Sequence, residues 1–196
     1  MNPQRILLAA SGDARLSANR RCWPTQAAME RDLVAAFSRL GASVERLHPY
    51  DEAEGHGFLD SQKRCLEVFR DIDKDAPLVV AESVWQYSHH VLAGLIGHRG
   101  PILTVANWSG QWPGLVGLLN LNGCLLKAGV PFSTLWAEDF ADEGVLAKLR
   151  EWLDTRAIRH DLSHCRAYSP GGSESESIGR ELAHDFRSRP SIMGDF

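Results

Sequence analysis

The sequence has few cysteines, and none of them stands in a metal-binding or disulfide-rich pattern. The four are Cys22, Cys65, Cys124 and Cys165. No pair has the CxxC spacing of a zinc site. The short apolar run at residues 5–11 lacks the length and the cleavage pattern of a signal peptide, and it predicts a first β-strand instead. Isolated cysteines without a secretion signal indicate reduced thiols and a cytoplasmic location.

Long apolar runs and clusters of basic residues are also missing. No hydrophobic stretch reaches the ~20 residues that a membrane span requires. The net charge is −4 and the lysines and arginines are scattered, so the basic stripe that binds phosphate backbones is absent. We therefore expect neither a membrane nor a nucleic acid as a partner. A hydrophobic content of 44% with 23% charged residues is typical of a soluble globular protein.

Several sequence motifs of nucleotide-binding proteins and hydrolases do not occur. There is no GxGxxG, no GxxxxGK[ST] and no GxSxG, which disfavours a dinucleotide, a P-loop nucleotide and a serine hydrolase. His89 and His90 are adjacent, so on a helix they point about 100° apart and do not readily share one metal ion. His160 and His164 have i, i+4 spacing within a charged stretch that indicates a solvated or subunit-facing helix.

Apolar segments of strand type alternate with segments of helical periodicity along most of the chain. This alternation predicts βαβ units and a mainly parallel sheet, and right-handed crossovers then favour an α/β, three-layer, doubly wound, flavodoxin-like fold with five strands. Residues 12–23 are predicted as a polar loop, and Pro24 is predicted to open the first helix. Gly41 is the expected stop of that helix. The predicted strands are 5–11, 43–47, 77–81, 101–107 and 132–136, and the predicted helices begin near residues 24, 60, 88, 113 and 142.

The last forty residues differ from the rest in composition. Residues 1–155 are predicted to form the flavodoxin-like domain, and 156–196 are predicted to be a linker, a helical extension and the start of a further domain. Residues 168–177 are rich in Ser, Gly and Glu and are typical of a linker. A helix is predicted at 178–187, and a strand is predicted to begin at residue 190. We expect the chain to be the N-terminal part of a longer protein or a piece cut at a domain boundary.

Aromatic and polar residues follow the predicted strands at their carboxyl ends, where open parallel sheets bind ligands. Glu82 stands at one such end, and it could form a carboxylate pair with Asp13 or with Glu138. Indole faces stack on the C–H faces of sugars, while amides and carboxylates bind hydroxyls. The alternative for the same tryptophans is packing in the core or between subunits. The aromatic residues concerned are Tyr50, Trp85, Tyr87, Trp108 and Trp112.

Three segments together resemble the N-terminal region of the L-fucose/L-arabinose isomerase-like family. They are ESVWQYSHH, PILTVANWSGQWPGLVGLLNLNG and AGVPFSTLWAED. The family pattern is a third strand leading into a tryptophan-bearing loop, then a strand with a short polar loop and a Pro-Gly helix start. A Gly-x-Pro approach to the fifth strand follows, here Gly129 to Pro131. The resemblance is strongest over residues 82–139.

The resemblance implies a function and a set of site residues. Members of this family interconvert aldoses and ketoses with a divalent metal, usually Mn²⁺, which later domains bind through two acidic residues and a histidine. The N-terminal domain closes over the active site of a neighbouring subunit in a homo-oligomer, expected to be a trimer or hexamer, and the partner molecule is a small sugar. This fragment alone is expected to bind no metal and to have no catalytic residue or activity. The substrate-binding residues implied here are Trp85 and an arginine of the first loop (Arg15, Arg20 or Arg21), with Gln86, Asn107 and Trp108 as neighbours.

Two other functions stay open from the residues alone. The chain could be a free-standing flavodoxin-like module that binds a sugar or a small anion. It could also be a pure oligomerisation domain whose aromatic side chains are buried between subunits. Sugar-dependent tryptophan fluorescence of the full-length oligomer would distinguish a substrate-contacting domain from a pure assembly domain.

Overall fold

In the computed structural model, which describes residues 4–85, 89–108, 112, 114–156 and 158, strands and helices alternate strictly. The elements are β1 (Gln4–Ala9), α1 (Leu16–Arg39), β2 (Ala42–Arg46), α2 (Gln62–Asp71), β3 (Leu78–Glu82), α3 (His89–Leu95), β4 (Ile102–Asn107), α4 (Gly114–Ala128), β5 (Ser133–Ala137) and α5 (Glu143–Thr155). The five strands form one sheet in the order β2-β1-β3-β4-β5, and every pair is parallel. The predicted flavodoxin-like α/β fold is confirmed. Residues 159–196, with the predicted linker and helix, lie outside the described residues.

Each face of the sheet is covered by its own apolar layer. On one face, Ile6, Leu8, Val79 and other alternate strand residues pack against α1 and α5, with Trp152 fully buried. On the other face, residues such as Leu7 pack against α2, α3 and α4. Because successive strand residues point to opposite faces, strands buried on both sides consist almost wholly of apolar residues. Among the described helices, none combines the length and the apolar character needed to cross a bilayer.

The first helix begins eight residues earlier than the sequence predicted. α1 starts at Leu16 and continues through Pro24, so most of the predicted polar loop is helical. Asp13 and Asn19 stabilise this start: the Asp13 carboxylate accepts a hydrogen bond from the Arg15 backbone N–H at 2.8 Å, and the Asn19 side chain bonds both backbone groups of Asp13. An interior proline removes one backbone hydrogen bond at a cost of ~3 kcal/mol. The long buried stripe of α1, which includes Phe37, offsets that cost.

Two predicted helix boundaries, the end of the first helix and the start of the last, are confirmed. Gly41 follows α1 with a φ of +80°, the left-handed conformation that glycine adopts readily. Asp142 caps α5 by accepting hydrogen bonds from the N–H groups of Gly144 and Val145. The sequence predicts the third helix over residues 88–98, and the structure ends it earlier, at Leu95.

Candidate functional site

The strand order places a topological switch point between β1 and β3. The chain moves from β1 outward to β2 in one direction and from β3 outward to β5 in the other. In open α/β sheets, ligands bind beyond the carboxyl ends of the strands at this point. The segments that leave β1, β3 and β4 at this edge form the candidate site, and their described residues are 10–15, 82–85 and 107–108.

Asp13 and Arg15 form the wall that follows β1. Both oxygens of the buried Asp13 carboxylate bind the Arg15 guanidinium, at 2.9 Å to Nε and 3.0 Å to Nη2. The hydrogen bonds from Arg15 hold the pKa of Asp13 below its usual range, and burial opposes them. The Arg15 side chain is 71% exposed at the N-terminal end of α1, directly after the β1 exit. Of the first-loop arginines, Arg15 is therefore the one placed at the switch point.

The other two arginine candidates lie on α1. Arg20 donates to the backbone carbonyls of Ala53 and Glu54, at 3.0 and 2.7 Å, and so anchors the loop between β2 and α2. Arg21 is exposed on the helix. Both were predicted in a loop, and the helical start at Leu16 corrects that placement.

Glu82 ends β3 and is the unusual group of the site. Its side chain has 0% exposure, and no group among the described residues hydrogen-bonds to either carboxyl oxygen. Burial raises the pKa of Glu82 well above its ordinary value. Its predicted carboxylate pairing with Asp13 or Glu138 is not formed among the described residues, since Asp13 binds Arg15 and Glu138 is exposed.

The aromatic candidates lie on the segments that leave β3 and β4. Trp85 is 38% exposed and Trp108 is 59% exposed. The backbone N–H of Trp108 donates to the carbonyl of Ala137 at 3.0 Å, which extends the β4–β5 pairing by one residue. The buried Oδ1 of Asn107 has no hydrogen-bond partner among the described residues. Gln86 lies outside them.

Two polar residues that the sequence analysis missed hold the β3 exit in place. The buried side-chain amide of Gln26 donates to the carbonyl of Ala81 and accepts from the backbone N–H of Ser83, both at 3.0 Å. Asn19 holds the β1 exit in the same way, through Asp13. Both fall on the helical stripe of α1 that also carries Leu33. A polar residue at a position where the helical pattern calls for an apolar one is the sequence signal that could have revealed both of them.

One cluster of the described residues has metal-ligand types, but its chemistry does not fit Mn²⁺. Glu54, His56 and Asp60 place potential ligand atoms within 4.8 Å of one another. His56 Nδ1 accepts a hydrogen bond from the backbone N–H of Phe58, so in the neutral ring Nε2 carries the proton and faces the two carboxylates. A metal-bound histidine instead uses one nitrogen as ligand and donates from the other.

The charge around this cluster leads to the same conclusion. Arg64 already contacts Glu54 at 2.7 Å and Asp60 at 3.8 Å, so its guanidinium already supplies positive charge to both carboxylates. Burial lowers the pKa of His56, which favours the neutral ring. We therefore assign these residues to the stability of the loop between β2 and α2 and derive no metal-dependent step.

Comparison of this chain with protein-family models and with curated proteins finds no match.

Proposed function

We propose that this chain is the N-terminal domain of an aldose–ketose isomerase-like protein and that it closes a carbohydrate site on a neighbouring subunit. The observation that carries the proposal is that an exposed indole and an exposed guanidinium follow neighbouring strands at the same switch point. Trp85 follows β3 and Arg15 follows β1, and these strands are neighbours in the sheet. An indole offers an apolar face to sugar C–H groups, and a guanidinium donates to sugar hydroxyls.

The charge distribution at this edge supports a neutral ligand over an anion. Arg15 is already neutralised by Asp13, and β3, α3 and β4 contain no lysine or arginine. Aldoses and ketoses are neutral polyols, so they need no counter-charge. In this proposal, a divalent metal such as Mn²⁺ supplies Lewis-acid polarisation of the sugar oxygens from residues outside this chain. The residues here bind and orient the sugar and exclude water.

The contribution to assembly is proposed from the outer face of α4. This helix carries one charged residue, Lys127, and four of its apolar side chains are between 40% and 71% exposed. Trp136 on the edge strand β5 is also exposed. Contiguous exposed apolar surface marks interaction sites, and a homo-oligomer would cover it. The four side chains are Leu115, Val116, Leu119 and Leu126.

The test of the carbohydrate role is Trp85→Ala in the protein expressed from its whole reading frame. We expect aldose–ketose isomerisation in the presence of Mn²⁺ to show a raised KM or a lowered kcat, with an unchanged circular dichroism spectrum. Leu66→Ala is the control, because this exposed apolar side chain lies on α2, outside both the switch point and the proposed contact surface. Equal effects of the two substitutions, or a protein with no isomerase activity towards any aldose, would contradict the proposal.

The assembly role has its own measurement. Leu119→Glu places a charge in the middle of the exposed α4 face, and sedimentation should then show smaller species than the unsubstituted protein. Lys63→Glu, on α2, is the charge control away from that face. If both variants keep the oligomeric state of the parent, α4 is not the contact surface.

A further inference from the structure

The carboxyl group of Glu82 is buried without compensation, whereas the other buried carboxylates have partners. Glu30 binds Arg46, and Asp13 binds Arg15. A buried polar group without a hydrogen bond destabilises the fold, and a buried charge does so more strongly. Packing alone therefore gives no reason for a carboxyl group at this position. Such a group in a native protein calls for an explanation in terms of function.

The strand register shows where this carboxyl group lies. Leu78 and Val80 belong to the apolar layer beneath α2, α3 and α4, so Glu82, two residues further along β3, points to the same face. A Cβ built on Gly117 would lie 3.4 Å from Glu82 Oε2, and one built on Gly114 would lie 2.8 Å from the Glu82 carbonyl oxygen. The carboxyl group therefore lies directly beneath the first turn of α4.

The first turn of α4 brings hydrogen-bond donors to the same place. The first four backbone N–H groups of a helix have no acceptor within the helix. Gly114 donates to the carbonyl of Trp112, which leaves the backbone N–H groups of residues 115 and 116 as the remaining donors of that turn. These donors and the Glu82 carboxyl group lie close together, and neither Gly114 nor Gly117 has a side chain between them.

We propose that Glu82 and the first turn of α4 bind a hydroxyl group of a neutral polyhydroxylated ligand. The inference rests on the proposed carbohydrate function and assigns a second contact at the same edge. A hydroxyl group can donate to an oxygen of Glu82 while it accepts from a backbone N–H of α4, so it satisfies both sides at once. An anion would enter without a counter-charge, since β3, α3, β4 and the first three turns of α4 carry no lysine or arginine.

The site is closed in this structure by the segment that leaves β3. The positions of Gly114 and Gly117 meet the carbonyl oxygens of Ser83 and Val84, each at 2.7 Å from a built Cβ. The segment is also held by the Gln26 side chain, which accepts from the Ser83 N–H, and by the buried Val84 side chain, so a hydroxyl group reaches Glu82 only when the ligand displaces this segment from α4. Trp85 lies on the same segment, and a sugar that stacks on its indole is thereby brought next to the segment that covers Glu82.

The experiment is NMR on the full chain labelled with ¹³C at the glutamate carboxyl carbon. The Glu82 signal is assigned by its absence from Glu82→Gln. Titrations with L-fucose, glycerol and inorganic phosphate then follow that signal and the amides of Gly114 and Gly117. We expect the two polyols to move all three signals and phosphate to move none.

Affinity for L-fucose is measured in two Glu82 variants. Glu82→Met keeps the length of the side chain and removes both oxygens, and we expect binding at least ten-fold weaker with the same thermal midpoint or a higher one. Glu82→Gln keeps one acceptor, and we expect binding within about three-fold of the unsubstituted chain. Glu45→Met, an exposed glutamate of β2, should bind as the unsubstituted chain does.

The outcomes separate this inference from the proposed function. If Trp85→Ala loses L-fucose binding while Glu82→Met retains it, the sugar role stands and the Glu82 site is wrong. A response of the Glu82 signal to phosphate but not to the polyols overturns the assignment of a hydroxyl ligand. If neither polyol moves the Glu82 signal of the unsubstituted chain, the Glu82 site is wrong, and the Trp85→Ala isomerisation assay tests the proposed function separately.

Discussion

Glu30 and Glu82 are both buried glutamates, and they differ in whether the carboxyl group has hydrogen-bond partners. Glu30, on α1, accepts from Nε and Nη2 of Arg46 at 2.6 and 3.1 Å and from the Gln26 amide at 3.0 Å. Glu82, on the opposite face of the sheet, has no hydrogen bond among the described residues. A fully paired carboxylate holds α1 to β2, whereas the Glu82 carboxyl group makes no such connection at the end of β3.

The surroundings of the two residues differ in the same way. Arg46 also donates to the carbonyls of His48 and Gly57 and lies over the Trp23 ring at 5.0 Å, so the guanidinium is fixed by several contacts. Near Glu82 the contacts are backbone carbonyls against glycine positions of α4. The carboxylate beneath α1 is therefore fixed by several side-chain contacts, whereas the carboxyl group beneath α4 has no hydrogen bond among the described residues.

The largest effect is expected from removing the partner of Glu30. Arg46→Met leaves Glu30 buried with only the Gln26 amide, and breaking a buried pair by removing one partner costs ~3–5 kcal/mol. The free energy of unfolding from urea titration should fall by about that amount. Arg5→Met, which breaks the exposed ion pair with Glu45, is the control and should change stability by less than ~1 kcal/mol. Equal losses in the two variants would mean that the buried Glu30–Arg46 pair contributes no more to stability than the exposed Arg5–Glu45 pair.

Two glycines of α4 give opposite predictions for the same substitution. A Cβ at Gly117 would lie 2.7 Å from the carbonyl oxygen of Val84, whereas one at Gly123 meets nothing within 4 Å. Gly117→Ala should destabilise the fold by ~1–3 kcal/mol, since backbone must move. Gly123→Ala should stabilise it by up to ~1 kcal/mol through helix propensity. Thermal unfolding of both variants is the measurement, and a stabilising Gly117→Ala would contradict the close approach of α4 to the β3 exit.

The pH dependence of stability should distinguish Glu82 from every exposed glutamate. Its pKa is raised by burial from 4.5, so the folded state holds a proton that the unfolded state loses. This contribution is fully present below pH 4.5 and is lost as pH rises towards the folded-state pKa, with a slope of about 1.4 kcal/mol per pH unit.

Glu82→Gln should remove that slope while Glu45→Gln preserves it. Urea titrations at several pH values from 5 to 8 measure the difference. A parallel loss of stability with pH in the unsubstituted chain and Glu82→Gln would show that Glu82 is ionised in the folded protein.

The smallest effect is expected at the Asp13–Arg15 pair. Arg15 is mostly exposed, so Arg15→Ala should cost less than ~1 kcal/mol. Because Arg15 lowers the pKa of Asp13, the pair stabilises the fold above the pKa that Asp13 has when unfolded and loses that contribution as pH falls. Arg15→Ala should therefore show a weaker acid destabilisation than the unsubstituted chain between pH 5 and 2. If Arg15→Ala and the unsubstituted chain lose the same amount of stability between pH 5 and 2, Arg15 does not stabilise the Asp13 carboxylate.

Sequence reasoning succeeded where one local rule decided the structure. The strands are apolar runs bounded by glycine, proline or polar residues, and Gly41 ends α1 because its φ is positive. Reasoning failed at residues 12–23, where Pro24 predicted a helix start. The structure starts α1 at Leu16, because Asn19 and the Asp13 carboxylate satisfy the exposed backbone groups and the buried stripe outweighs the proline.

The candidate site was only partly predictable for the same reason. That Trp85, Asn107 and Trp108 follow strands at their carboxyl ends could be read from the order of the elements. The sequence could not show that Asp13 binds Arg15 or that Glu82 has no hydrogen-bond partner among the described residues. A pairing across loops depends on distances that the spacing of residues in the sequence does not fix. Because α1 begins at Leu16, Arg20 and Arg21 lie on the helix and Arg15 is the arginine candidate that directly follows the β1 exit.

The amino-acid sequence by itself determined the alternation of strands and helices and, through the hydrophobic period of each, the parallel sheet buried on both faces. These features follow from local backbone geometry and from the burial of apolar side chains, which act over a few residues. Tertiary structure alone decided which buried polar groups are satisfied. Glu30 and Glu82 are the same residue type, but only Glu30 has hydrogen-bond partners among the described residues, because it lies beside a guanidinium from β2 while Glu82 lies beneath a helix whose glycines offer no side chain.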